Sequence, residues 1–261
     1  MLGIVVPTRT DAYARRFLRS LATCEPELDE RTKDEEFSRV VLVENGLSDE
    51  FTYSLVEAED GIPELNVEFV RYPHHNETEH RVRAYAPFIF ARAINLGVAA
   101  LDPRADLLLV NDDTEFMSQN PITALETLLA SPAAQGYGII SPRIVGGAGN
   151  PDLKLDVPAG EIHESQHAIN FIAVLIPRAV WDIIGPMDER YTAYGGDDLD
   201  ASRRAVNAGY KLGVTGSAVM RHIGDGRREA HGTFGRLYSD EELKEKLEAG
   251  FRQFYDKWGD A

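Results

Sequence analysis

Cysteine is almost absent: Cys24 stands alone in 261 residues. An intramolecular disulfide is thereby excluded, so a reducing compartment, and with it a cytoplasmic location, is expected. Basic residues are also scarce. Lys and Arg number 27 against 43 Asp and Glu, a net charge of −16. Such a surface repels phosphate polymers and anionic bilayers, which argues against a nucleic-acid polymer or a polybasic lipid attachment. A small phosphate remains admissible where a cation bridges it. Long apolar runs are missing too. The longest candidate, residues 85–101, is interrupted by Arg92 and Asn95, and nothing approaches the ~20 residues of a membrane span. The opening run Met1–Pro7 is too short for a signal-peptide core and has no basic residues ahead of it. Neither repeats nor low-complexity tracts occur.

What the chain does have is alternation. Gly3–Val6, Val40–Val43, Val67–Val70, Leu107–Val110 and Ile139–Ser141 read as short buried strands. Between them come helical patterns: Tyr13, Phe17, Leu18 and Leu21; residues 49–59; and Phe88, Ala91, Asn95 and Val98. Residues 25–36 read as a solvated acidic loop, and Asn120-Pro121 as a helix start with Asn as cap. This βαβα order predicts an α/β fold, a single Rossmann-like domain with a mostly parallel central sheet flanked by helices. The second half is less regular. Residues 144–166 read as a long loop, Phe171–Ile176 and Ala218–His222 as strands, and Pro177–Ile184 and Leu199–Ala208 as short helices. Ser239 and Glu242 form a capping box for a last helix reaching about Trp258.

In such sheets ligands bind beyond the carboxyl ends of the strands. The polar residues there are Thr8 and Arg9, Glu44 and Asn45, and Asn111, Asp112 and Asp113. Adjacent carboxylates repel each other unless a cation or donors offset them. Asp112-Asp113 therefore fits either a plain turn or a hard divalent cation that holds a diphosphate. Gly195-Gly196-Asp197-Asp198-Leu199-Asp200 places acids at a helix start. They are either caps or, for one of them, a base for an acceptor hydroxyl. His222, at the end of the last strand, is either structural or a metal ligand. The glycine- and arginine-bearing residues 224–236 that follow are either an exposed loop or a lid over a diphosphate.

Taken together, these segments resemble the family 2 glycosyltransferases of the GT-A fold. Val41-Leu42-Val43-Glu44-Asn45-Gly46 with Ser48-Asp49 is similar to their second-strand motif. Ala91-Arg92-Ala93-Ile94-Asn95-Leu96-Gly97 is similar to the helix before the metal motif, and Asn111-Asp112-Asp113 to that Asp-x-Asp motif itself. Gly185-Pro186-Met187-Asp188-Glu189 and the Gly-Gly-Asp-Asp segment resemble the acceptor-side region. The latter is also similar to the Trp-Gly-Gly-Glu-Asp stretch of animal beta-galactosyltransferases, in which a downstream histidine binds metal. The chain departs from the family at Glu44 (usually Asp), at Asn111 (usually Asp) and at Asp197 (commonly Glu).

The resemblance implies a metal-dependent, inverting glycosyltransferase acting on a UDP-, GDP- or dTDP-sugar. It implies Mn²⁺ or Mg²⁺ on Asp113 and His222, and Asp198 as base with Asp197 in reserve. Thr8, Arg9, Glu44, Asn45, Arg92, Asn95, Asn111 and Asp112 would line the nucleotide sugar, with Arg81 or Arg83 as helpers. Residues 1–115 would then be the donor half, 116–238 the acceptor half and 239–261 a C-terminal helix. Two other classes stand beside this reading. A sugar nucleotidyltransferase would carry a Gly-rich basic stretch after the first strand, where Pro7-Thr8-Arg9-Thr10-Asp11 has no glycine. A catalytically silent sugar-binding module would have no need of Asp113, Asp198 and His222 together.

Overall fold

The computed structural model describes residues 1–8, 10–28, 39–44, 67–72, 88–147, 149–192, 195–223 and 239–259. In chain order the elements are β1 (Leu2–Thr8), α1 (Asp11–Cys24), β2 (Val40–Glu44), β3 (Val67–Arg71), α2 (Phe90–Ala100), β4 (Asp106–Val110) and β5 (Thr114–Phe116). Then come α3 (Pro121–Leu129), β6 (Tyr137–Val145), β7 (Ile162–Glu164), β8 (Ala173–Ile176), α4 (Arg178–Ile184), α5 (Asp197–Asn207), β9 (Lys211–His222) and α6 (Asp240–Trp258). Arg9, Asn45, the 49–59 helix, Arg81, Arg83 and the 224–236 loop lie outside the described residues.

All the strands form one sheet, ordered β3-β2-β1-β4-β8-β6-β9-β5, with β7 also on β9. The first four strands are parallel, as the alternating pattern predicts. Beyond β4 the sheet is mixed. β8 runs antiparallel to β4 and β6, β9 runs parallel to β6, and β5 and β7 run antiparallel to β9. Parallel strands need both faces covered, which is why β1, β2 and β4 are almost wholly apolar and buried. Helix α2 lies close on this region because Gly97 has no side chain. A Cβ there would come within 2.3 Å of Val5 and 2.9 Å of Val43.

This topology gathers one working edge. The C-terminal ends of β1, β2, β3, β4, β6 and β9 and the N-terminal ends of β5 and β8 all point the same way. Register sharpens it, since Thr8 pairs with Glu44 and Glu44 with Arg71 in one row.

Two sequence expectations are corrected locally. Glu25, read as part of a solvated loop, is 2% exposed. Its carboxylate accepts from the backbone N–H groups of Ile122 and Thr123 and from the Thr123 hydroxyl. Glu25 thus caps α3 from a distance, where a negative charge meets unpaired donors and the positive end of the helix dipole. Asn120 occupies the expected cap position, but its backbone is left-handed (φ 49°) and its side chain makes no capping bond.

Candidate active site

The chain leaves β4 at Val110 and immediately turns. Asn111 is anchored by its backbone, its N–H donating to the Ile172 carbonyl and its carbonyl accepting from the Thr114 hydroxyl. Asp112 and Asp113 follow, each 5% exposed. The Thr8 hydroxyl donates to Asp112 Oδ2 at 3.0 Å, tying the ends of β1 and β4 together.

β5 then pairs with β9 so that Thr114 faces His222, and the Ile223 N–H donates to the Asp113 carbonyl. That ladder brings Asp113 Oδ1 to 3.4 Å from His222 Nε2. Asp113 Oδ1 and His222 Nδ1 are buried and have no hydrogen-bond partner among the described residues. Buried polar atoms are rarely left so. Gly147, at φ +60°, closes over the ring, and a Cβ there would lie 2.2 Å from His222 Nδ1. An unsatisfied carboxylate oxygen facing an imidazole nitrogen is a donor set that fits a divalent cation. Among the described residues no third His, Cys, Asp or Glu joins them. Such a cation would therefore depend on water and a bound ligand for its remaining positions, as Mg²⁺ does with substrate phosphates.

The expected nucleotide residues are placed unevenly. Glu44 sits at the end of β2, where it accepts from Arg71 Nε at 2.7 Å. Arg92 stacks over the Tyr72 ring at 5.8 Å. Tyr72 continues β3, its N–H donating to the Glu44 carbonyl. Thr8, Glu44, Arg92 and Asp112 are thus set around the first four strand ends. Asn95 is engaged otherwise. Its amide donates to the Met187 carbonyl and to Glu189, and its oxygen accepts from the Met187 N–H. Both amide hydrogens are used in holding the 185–189 segment against α2.

Helix α5 opens with the acids. Gly195 and Gly196 have φ of 82° and 93°, as a tight turn requires. Their close neighbour is the C-terminal helix, since a Cβ on Gly196 would meet the Gly250 carbonyl oxygen of α6 at 2.5 Å. Asp198 accepts from Leu199 N–H and from Asn170 Nδ2, and Asp197 from Asp198 N–H. Both acids are part-exposed. Lost hydration and the charge of Asp198 push Asp197 up to about 7. Lost hydration also raises Asp198, opposed by its bond from Asn170. Asp200 has a different task. Fully buried, it accepts from Arg204, Trp258 Nε1 and the Tyr191 hydroxyl and pairs with Lys257 at 2.6 Å.

Sequence reasoning missed Asn170 and Gly147 and did not tell Asp200 apart from the two acids before it. Most of their partners lie in chain-distant segments, and the local signals were an Asn just before a strand, a third acid after two glycines, and a Gly-Gly pair after a strand.

No family model matches the sequence, and no curated protein matches it. Solved structures do. The crystal structure of GalNAc-T7 with UDP, GalNAc and Mn²⁺ superposes with a TM-score of 0.62 at 15% identity, over 98% of this chain and 49% of that one. Residues 1–349 of S. aureus TarS superpose with a TM-score of 0.57 at 14% identity, over 98% of this chain and 72% of that one. The fold is that of the GT-A glycosyltransferases. The chain spans about half the length of the GalNAc-T7 chain it matches. Among the described residues of this GT-A chain, no helix is long and apolar enough to cross a membrane.

Proposed function

We propose that this chain is a metal-dependent glycosyltransferase that moves a sugar from a nucleoside-diphosphate sugar to an acceptor hydroxyl with inversion. One observation carries the reading. A buried, unsatisfied carboxylate oxygen and an imidazole meet at the edge of the sheet where the strands carrying Thr8 and Glu44 also end. The structural neighbour GalNAc-T7 was crystallised with UDP, GalNAc and Mn²⁺, which supports the reading.

Asp113 and His222 hold the cation, whose nitrogen ligand favours Mn²⁺ over Mg²⁺. When bound, it supplies positive charge against the donor diphosphate. Thr8, Arg9, Glu44, Asn45, Arg92, Asn111 and Asp112 line the donor, while Asn95 shapes the acceptor side by holding residues 185–189. Asp198 takes the proton of the acceptor hydroxyl, with Asp197 in reserve. The acceptor oxygen forms its bond to the anomeric carbon as the bond to the diphosphate breaks. A base of raised pKa suits this task, because proton transfer is most efficient when its pKa lies near the working pH. Residues 1–115 serve the donor, 116–238 the acceptor, and 239–261 support the acceptor side.

Calorimetry with UDP-, GDP- and dTDP-sugars in Mn²⁺ tests the reading. One of them is expected to bind, with affinity lost in EDTA and in Asp113→Ala. Removing one charged ligand should cost roughly several kcal/mol of transition-state stabilisation. An affinity untouched by both changes would sink the proposal.

A further inference from the structure

Asn170 lies three residues before β8, beside the strand end that carries the metal motif. Asn111 N–H donates to the Ile172 carbonyl, so the 170–172 segment meets the chain where it leaves β4. The Asn170 side chain makes two hydrogen bonds to chain-distant groups. Its Oδ1 accepts from the Asn150 backbone N–H at 2.8 Å, and its Nδ2 donates to Asp198 Oδ2 at 3.0 Å. A backbone N–H can only donate, so the oxygen end of the amide is pinned to Asn150. The NH₂ end therefore has to face the carboxylate. Asn150 is itself fixed, its side chain donating to the Ala168 carbonyl and accepting from Asp152 and Leu153 N–H. The loop that carries Gly147 against His222 thus continues, three residues later, into the group that orients the amide holding Asp198.

We propose that Asn170 is a positioning residue for the Asp198 base, resting on the base role given above. Its amide holds one carboxylate oxygen in a set direction and favours the ionised form. Leu199 N–H holds the other oxygen, so the rotation of the carboxylate is fixed from both sides. A donor at this place acts against the lost hydration, which pushes the proton on. The charges closest by are Asp197 and Asp200 on α5. Asp200 is matched by Arg204 and by Lys257. Of the cations on the packed elements, Arg143 of β6 is turned to Asp156, Lys211 and Arg221 of β9 to Glu164 and Glu115, and Arg178 of α4 to the Ala105 and Asp102 carbonyls. Asp188 is held by Arg190 and Lys257. Among the described side chains, Asn170 is the neutral donor bonded to the Asp198 carboxylate.

The test uses the full chain with Mn²⁺ and the UDP-, GDP- or dTDP-sugar found by the donor screen. Water serves as acceptor, and nucleoside diphosphate release is followed against pH. Asn170→Ala removes the donor. Asn170→Asp is nearly isosteric, keeps the bond from Asn150 and sets a second carboxylate against Asp198. Both are expected to move the acidic limb of the rate profile to higher pH, by about one to two units for a lost charge-assisted bond. The maximal rate should fall about 10- to 100-fold, with donor affinity unchanged. Asp198→Asn runs alongside and should lose about 10²–10⁴-fold of the rate with donor affinity kept. If Asp198→Asn is crippled while both Asn170 variants keep the wild-type limb, Asn170 is structural and the inference is wrong, with the base reading intact. If Asp198→Asn turns over at the wild-type rate, the base reading fails and the inference falls with it.

Discussion

Asp197 illustrates how one carboxyl can report on its surroundings. It stands beside Asp198 at the start of α5, and its pKa is pushed up to about 7. An unfolded Asp titrates near 3.9, so between about pH 4 and 7 the folded chain binds more protons at this residue than the unfolded chain. Stability must then fall as pH rises through that window, and the stabilisation present below it is gone above it. Asp197→Asn removes the effect. Its melting temperature relative to wild type is expected to climb between pH 4 and 7 and to stay level above. Differential scanning calorimetry at pH 4.5, 6 and 8 checks this, and a pH-independent gap would show that Asp197 ionises freely. At this scale the sequence was only half legible. Asp113, His222 and Asp198 stood out from residue type and place, and the structure brings Asp113 and His222 within 3.4 Å of each other. Asp200 looked like their equal, because three acids in four residues carry no mark of which one meets Lys257, Arg204 and Trp258.

Among the elements, α6 has the least obvious role. It lies across the glycine turn that opens α5 and is tied down by several bonds. Gln253 donates to the Arg190 carbonyl, Lys257 pairs with Asp188 and Asp200, and Trp258 donates to Asp200. Gly196→Ala combines a left-handed residue with a Cβ 2.5 Å from the Gly250 carbonyl oxygen. It is expected to cost about 1–3 kcal/mol and to speed amide exchange in α6 while leaving β1 and β2 protected. Urea unfolding with hydrogen exchange measures both, and an unchanged α6 would mean the helix docks independently of the turn. The capping box of α6 was readable because its two residues are three apart. β5 was not, since three residues are too few to show a period. The cap of α3 was missed because Glu25 comes from 97 residues away. The direction of β8 was likewise hidden, because a short apolar run does not say whether it pairs parallel or antiparallel.

Across the whole molecule, charge and site oppose each other. A chain of net charge −16 presents Glu44, Asp112, Asp113, Asp197 and Asp198 along one edge. A diphosphate entering that field alone meets repulsion, and among the described residues a cation alone finds only Asp113 and His222. Metal and nucleotide should therefore stabilise the fold jointly. At 100 times the dissociation constant the gain is about 2.7 kcal/mol, and at this size each kcal/mol raises the melting temperature by roughly 2–4 °C. Thermal shift with Mn²⁺, with UDP or GDP, and with both is expected to show a rise for the pair well beyond the sum of the single additions. Strict additivity would mean that the two do not share a site.

The pairing of Thr114 with His222 means that Asp113 and His222 meet by counting rather than by shape. Side chains alternate faces along a strand, so a single residue inserted in β9 just before His222 would turn the imidazole to the opposite face. The neighbouring strands would keep their hydrogen bonds and their apolar contacts. Length at that one strand end is thus under tighter constraint than composition: a chain of this fold could drift widely in its core residues and keep its site, yet lose it to one added residue.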